Sequence, residues 1–142
     1  MDKGLVLRDV VIRKAGVAMV SLSREIASGQ VLTVMGPSGV GKSTLLAFIT
    51  GTLSKDFSAS GSVILDGHDI TTAPAHQRRV GILFQDDLLF PHLSVAQNLS
   101  FGLIEGGSAA ARRSVVEAAL EEVGLAGFGS RDPATLSGGQ KA

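Results

Sequence analysis

The 142-residue sequence has no cysteine, no tryptophan and no tyrosine, and its aromatic side chains are six phenylalanines. Without cysteine there is no disulfide and no thiolate metal site. The three histidines, His68, His76 and His92, are scattered, which favours surface positions over a metal cluster. Charge of one sign is missing as well. Thirteen Lys and Arg balance thirteen Asp and Glu, so nothing in the balance suggests a nucleic-acid partner. No apolar run approaches the roughly 20 residues that span a bilayer, and the apolar part of residues 1–9 is too short for a signal peptide. The expectation from these absences is a soluble, cytosolic chain. Hydrophobic content of 44% with 18% charged residues suits a packed core, and the length fits one domain or part of one.

Glycine is what the chain has in quantity, with 18 residues. Gly36-Pro37-Ser38-Gly39-Val40-Gly41-Lys42-Ser43-Thr44 fits G-x-x-x-x-G-K-[ST], the phosphate-cradling P-loop. A phosphate chain is polyanionic and needs donors and positive charge. Glycines let successive backbone N–H groups converge on it with no Cβ in the way. Lys42 is expected to reach the β- and γ-phosphates, and the Ser43 hydroxyl to ligate Mg²⁺. The context is the required one: an apolar strand over residues 31–35 precedes the loop. A helix carrying Leu45, Leu46, Ile49 and Leu53 follows it, with its positive dipole end at the phosphates.

Around this centre, residues 5–12 and 18–23 read as two strands joined by a turn at residues 13–16, and Ser28-Gly29-Gln30 as a second turn. Residues 54–60 are polar and loop-like. Residues 62–65 form a strand that ends on the turn dipeptide Asp66-Gly67. Residues 74–79 suggest one short helix with Pro74 near its first position, and residues 80–84 a short buried strand. Ser94 is an N-cap for a helix over residues 95–101. Residues 109–123 have amphipathic spacing, with Val116, Leu120 and Val123 on one face and Gly124 as the stop. Residues 131–135 read as loop. The Val63-Ile64-Leu65-Asp66 and Ile82-Leu83-Phe84-Gln85-Asp86 runs each end an apolar stretch in Asp, so Asp66 or Asp86 could hold Mg²⁺ in some other P-loop NTPase.

Leu136-Ser137-Gly138-Gly139-Gln140 stands almost at the end of the chain. With the P-loop upstream, the sequence resembles the ATP-binding cassette (ABC) transporter ATPases, whose signature this pentapeptide is. The resemblance implies an α/β P-loop NTPase fold: an N-terminal antiparallel β subdomain and P-loop core over residues 1–84, with an incomplete parallel core sheet. A Q-loop and helical subdomain through the signature would occupy residues 85–142. It implies that ATP and Mg²⁺ bind at residues 36–44 and that Gln85, following the 80–84 strand, serves Mg²⁺ and the attacking water. Ser137, Gly138, Gly139 and Gln140 would cap the γ-phosphate held by a facing subunit in a head-to-tail dimer. Lys42 and Gln85 are then the catalytic residues and Ser43 and Gln85 the metal residues. The implied function is the energy-coupling subunit of a bacterial importer, held by permease subunits at the inner face of the plasma membrane. The apolar run 88–95 would be core or the groove for a permease helix. Gly81-Ile82-Leu83-Phe84-Gln85-Asp86-Asp87-Leu88-Leu89-Phe90 and Asp132-Pro133-Ala134-Thr135-Leu136-Ser137-Gly138-Gly139-Gln140 resemble the thiamine-transport type.

The pattern departs from the family in two places. No aromatic residue precedes Phe48 to stack on adenine, so Val11 or Ile12 would give only apolar contact. The family's Walker B strand, catalytic glutamate and switch histidine follow the signature, and the sequence ends at Ala142. The expectation is an N-terminal fragment that binds nucleotide without hydrolysing it and exposes an apolar strand at residues 31–35. Competing readings are a non-transport ABC ATPase and a nucleotide-binding module without hydrolysis.

Overall fold

The computed structural model describes residues 3–84, 88–103 and 107–141. The chain forms two compact units, Met1–Leu83 and Phe84–Ala142.

The first unit is built on a four-stranded antiparallel sheet of order β2-β1-β3-β4, with β1 Gly4–Lys14, β2 Val17–Ala27, β3 Phe57–Leu65 and β4 His68–Asp69. Plain alternation along β1 would put Leu5 and Leu7 on one face and Val10 and Ile12 on the other. Yet Leu7, Val10 and Ile12 are all buried in one core. A β-bulge reconciles them. Leu7 pairs with Arg24 and Val10 with Leu22, so Arg8 and Asp9 together oppose Ser23. The pairing to β3 jumps at the same place, from Arg8–Ser62 to Val11–Ser60. Asp9 takes a left-handed backbone, φ 49°. Its N–H donates to Ser23 Oγ at 2.7 Å, and that hydroxyl donates to Asp9 Oδ1 at 2.9 Å. Across the sheet Gly61, at φ +94°, lies against the bulge. A Cβ there would stand 2.4 Å from the Asp9 carbonyl oxygen and 2.6 Å from that of Arg8.

Helix α1, Lys42–Thr50, places Leu45, Phe48 and Ile49 in the core with Val63. Leu46, expected to share that face, is half exposed, and the helix ends at Gly51, before Leu53. Buried Arg78 fastens this end. Its Nη1 donates to the Phe48 and Ile49 carbonyls at 2.9 and 3.0 Å, its Nε to Ala73 at 2.7 Å and its Nη2 to Thr71 at 2.6 Å. The guanidinium thus meets the negative end of the helix dipole and satisfies carbonyls that a helix leaves without intrahelical donors. Burial lowers its pKa from the usual arginine value. Arg78→Met keeps the stem and removes all four bonds, and unpaired buried acceptors cost about 1–3 kcal/mol each. Some are rehydrated, so the expected loss is about 2–4 kcal/mol, read as a lower urea midpoint. In the β4 loop, the Thr71 N–H and hydroxyl donate to Asp69 and hold its carboxyl below the ordinary value. The same hydroxyl accepts from Val63 N at 2.8 Å.

Four expectations for this unit change. Residues 31–35 and 80–84 are not strands; they carry no ladder pairing. A parallel strand draws its partners from segments distant in sequence, and no described segment lies alongside either of them in a ladder. Val31, Met35 and Leu83 are consequently exposed by 90%, 86% and 86%, an apolar surface that favours self-association. Strand β3 begins at Phe57, inside the stretch expected to be loop, because its serines face outward while its backbone pairs with β1. The helix expected over residues 74–79 is a single 3-10 turn, Ala75–Gln77. Arg79 at φ 55° ends it, and Arg78 turns inward to α1.

The second unit packs α2 Val95–Gly102 and α3 Ala109–Glu122 around Val95, Val116, Leu120 and Leu136. Helix α2 opens on a full capping box: the Ser94 hydroxyl accepts from Gln97 N, and Gln97 Oε1 accepts from Ser94 N. Val123, expected on the buried face of α3, is 67% exposed because the chain leaves helical geometry there as the C-cap. Residues 131–135 hold a 3-10 turn, Pro133–Thr135, capped by the Asp132 carboxylate on Ala134 N. A four-residue helix α4, Gly138–Lys141, follows.

Candidate functional site

Two segments, one in each unit, carry the candidate chemistry. In the first unit, residues 36–40 form an exposed loop that enters α1 at Lys42 through Gly41. Gly41 makes the entry. It is buried at φ 103°, and a Cβ there would lie 2.6 Å from Val20 Cγ2 on β2. The loop can therefore settle on the sheet only with glycine at this point. The Lys42 side chain folds back along the loop, and its Nζ donates to the Gly36 and Pro37 carbonyls at 2.7 and 2.8 Å. An ammonium has three donors, so one remains for an anion held over the loop. The first turn of α1 has no acidic residue to oppose it. Ser43, next on the helix, is exposed. A polyphosphate fits this donor set: a point charge, a helix N-terminus and the amides of a glycine-rich loop. An accompanying Mg²⁺ would take hydroxyl ligands, and Ser43 is an exposed hydroxyl residue at this end of the helix. Met19, Val20, Val34, Met35 and Leu45 border a cavity of about 230 Å³ behind the loop.

The other sequence candidates divide. Ile12 is fully buried in the core and cannot face an adenine, which removes one of the two apolar substitutes for a stacking aromatic; Val11 is half-buried. Asp66 is committed to a turn: its Oδ1 accepts from Gly4 N at 2.8 Å and its own N–H donates to the Gly4 carbonyl at 2.8 Å. Gln85 and Asp86 lie outside the described residues.

In the second unit, buried Leu136 anchors the signature segment in the core, and Ser137, Gly138, Gly139 and Gln140 follow it onto the surface. The Ser137 N–H donates to Gln140 Oε1 at 3.0 Å, and Gln140 N donates to the Ser137 carbonyl at 2.9 Å. Beside this segment runs an apolar groove of about 530 Å³. Leu88, Phe90, Leu99, Phe101 and Val123 line it, and Gly139, Gln140 and Lys141 form part of its wall. Phe90 and Phe101 meet edge to face, 4.7 Å between centroids. Asn98 shapes the rim: its Oδ1 accepts from Phe90 N, and its Nδ2 donates to the carbonyls of Phe90, Leu93 and Ser94. Within the run 88–95, Val95 is core, whereas Leu88 is 67% exposed on the groove. Sequence reasoning missed Asn98 and Arg78. A polar side chain four residues after an N-cap, and an arginine just before an apolar run, were the available signals.

A P-loop opening the helix on one unit and an LSGGQ segment on the other define a nucleotide-binding cassette. The ABC transporter family model matches residues 19–142, and the chain belongs to that family. It is 49% identical over 117 residues to the uncharacterized ABC transporter ATP-binding protein YnjD of Escherichia coli K12, covering 82% of this chain and 54% of that protein. It is 44% identical to the spermidine/putrescine import ATP-binding protein PotA of Nitrosomonas europaea, over 96% of this chain and 38% of the relative. Identity to the sulfate/thiosulfate import ATP-binding protein CysA of Gloeobacter violaceus is 45%, over 87% and 36%. The chain thus spans about half or less of the length of these relatives. Among solved structures, a dimeric post-hydrolysis state of the ATP-binding cassette MJ0796, bound to ADP and Pi, matches with a TM-score of 0.77 at 27% identity. That match covers 96% of this chain and 65% of the other. The α/β ABC ATPase fold class follows. Among the described residues, no helix is long and apolar enough to cross a membrane.

Proposed function

We propose that this chain is the nucleotide-binding and signature-bearing part of the ATPase subunit of a bacterial ABC importer. It divides functionally into residues 1–84, with the β subdomain and P-loop, and residues 85–142, with the Q-loop and helical subdomain. The observation that carries the proposal is Lys42, hung on the Gly36 and Pro37 carbonyls at the head of α1 with a donor to spare. Residues 36–44 hold the phosphates of ATP, with Lys42 and the loop amides stabilising phosphoryl charge. Ser43 and Gln85 hold Mg²⁺, and Gln85 orients the attacking water. Ser137, Gly138, Gly139 and Gln140 complete the site of a second copy, head to tail. The groove beside α4 receives a permease segment at the inner face of the plasma membrane. Coupling of hydrolysis to transport belongs to this reading, and the named import functions of the relatives support it. The finer reading is the thiamine-transport type, carried by residues 81–90 and 132–140. Uptake of thiamine against spermidine and sulfate by the assembled transporter separates it from the alternatives.

The test of the central claim uses the full 142-residue chain continued by the matching C-terminal part of the E. coli relative. With ATP and Mg²⁺ this extended protein is expected to turn over ATP, and a hydrolysis-deficient version of it is expected to sediment with ATP as a dimer. Ser137→Arg is expected to leave binding of labelled ATP unchanged and to abolish the ATP-dependent dimer, because the side chain occupies the place of the facing γ-phosphate. A dimer that survives in Ser137→Arg contradicts the role in trans. Binding without turnover would leave a nucleotide-binding module.

A further inference from the structure

Helix α3 borders a second groove in this unit, of about 930 Å³, which the function proposed above does not use. No described residue lines both this groove and the apolar one beside α4. Helix α2 forms one wall, α3 the other, and the loop after α3 completes it. The α3 residues on it run from Ala109 to Glu121 at i, i+3, i+4 spacing, a stripe about 18 Å long. Ala96, Ala109, Ala126, Gly127 and Gly129 bring little side-chain bulk to the lining, which suits the close approach of another element.

The charges on this stripe run against the helix that carries them. Arg113 stands in the N-terminal half, and Glu117 and Glu121 follow toward the C-terminus. The first turn has no acidic residue and the last no basic one. A helix dipole favours the opposite order. Arg113 and Glu117 are also spaced i, i+4 with the cation first, the weaker orientation for a pair. All three side chains belong to exposed residues, and among the described residues none of them makes an ion pair or a hydrogen bond. Arg112 is different, being part of the wall: its guanidinium donates to the Ser100 and Leu103 carbonyls at 2.6 and 3.4 Å. The order of the three free charges therefore opposes the α3 dipole and finds no compensation among the described residues.

We infer that the groove between α2 and α3 is a docking surface for a helix of a partner protein, lying parallel to α3. That helix has acidic residues in its first turn, basic residues in its last and small apolar residues between. An ordinary helix carries its charges in this order. Laid parallel to α3, it brings its acidic start over Arg113 and its basic end over Glu117 and Glu121. The inverted order on α3 is thus the complement of the helix it receives. An extended segment fits less well. It needs a sheet edge to satisfy its backbone, and the second unit has no strand among its described residues.

The test uses the 142-residue chain and two labelled synthetic peptides as long as α3, of identical composition. One carries glutamates in its first turn and lysines in its last, around an alanine–leucine stripe. The other has the glutamates and lysines exchanged. At low salt the first is expected to bind about five- to tenfold more tightly, the scale of a few exposed charge pairs, and the difference to fade at high salt. In the chain carrying Arg113→Glu, Glu117→Lys and Glu121→Lys together, the preference is expected to vanish or invert. Ala126→Trp, which fills the groove from an exposed position, is expected to weaken binding of the first peptide to the otherwise unsubstituted chain. The same preference in the unsubstituted and charge-reversed chains reports only the helicity of the peptides and overturns the inference. So does failure of both peptides to bind at millimolar concentration, or binding that ignores Ala126→Trp. Self-association of the chain that is lost in Arg113→Glu assigns the groove to a second copy. Loss of peptide binding in the C-terminally extended protein assigns it to the chain's own continuation. Either result overturns the inference.

Discussion

Lys42→Ala is expected to lose about 10- to 100-fold in affinity for a nucleoside triphosphate. Hydrogen bonds to charged groups contribute roughly 1.5–3 kcal/mol each, and 1.4 kcal/mol is a factor of ten. The substitution removes the ammonium together with its bonds to the Gly36 and Pro37 carbonyls. Both carbonyls belong to exposed residues, so water takes the place of the lysine and the fold is expected to persist. The helix N-terminus and loop amides remain, which is why affinity falls without vanishing. Lys42→Arg keeps the charge but brings a planar fork to a place shaped for a point charge, and it should recover only part of the loss. Titration of a fluorescent ATP analogue, alongside circular dichroism to verify folding, measures both. Unchanged affinity in Lys42→Ala would reject the P-loop assignment.

Gly61→Val is expected to be the most damaging single change in the first unit. A non-glycine residue held in a sparsely populated backbone region costs about 1–3 kcal/mol, and forcing extra volume into a packed site costs about 1–3 kcal/mol more. Here the new atom meets backbone, the Asp9 and Arg8 carbonyls at 2.4 and 2.6 Å, which cannot rotate away as a side chain would. The expected loss of roughly 2–6 kcal/mol compares with total stabilities of about 5–15 kcal/mol. Denaturation followed by far-ultraviolet circular dichroism is the measurement. A midpoint within error of the unsubstituted chain would mean that β1 and β3 do not pair across the bulge. Gly67, which has nothing within 4 Å of a Cβ but also a positive φ, serves as the control for backbone strain alone.

The parts of the fold and site legible in the sequence were those whose geometry is local. The P-loop is a run of backbone amides entering a helix, and its residues announce it without reference to the rest of the chain. The same holds for Ser94 as an N-cap and for Gly124 after α3. What escaped depends on pairing partners far away in sequence. The run Leu5-Val6-Leu7-Arg8-Asp9-Val10-Val11-Ile12 reads as one strand, and only its alignment with Ser23 and Gly61 reveals the extra residue. Residues 31–35 have the composition of a buried parallel strand, but composition does not supply the neighbour that makes one. Phe57 to Ser60 look like loop because serine is polar; they are strand because the backbone of β1 lies beside them. Arg78 was invisible for a related reason: its partners, the carbonyls of Phe48 and Ile49, lie some thirty residues upstream and are backbone atoms that no sequence pattern marks.

The bulge on β1 ties what position 61 can hold to the presence of Asp9. Arg8 and Asp9 share one partner on β2, while Asp9 and Val10 share one on β3; Asp9 is the residue common to both mismatches. Delete it, and Arg8 falls opposite Ser23 and Val10 opposite Gly61, with Leu5, Leu7, Val10 and Ile12 still alternating onto the core face. The sheet then needs no left-handed residue at position 9, and the crowding that forbids a side chain at position 61 disappears with the Asp9 carbonyl. Insertion at one position and glycine at the other are thus sterically coupled in this sheet. In a descendant that loses the extra residue, position 61 is released to drift toward the β-branched side chains that regular strands favour.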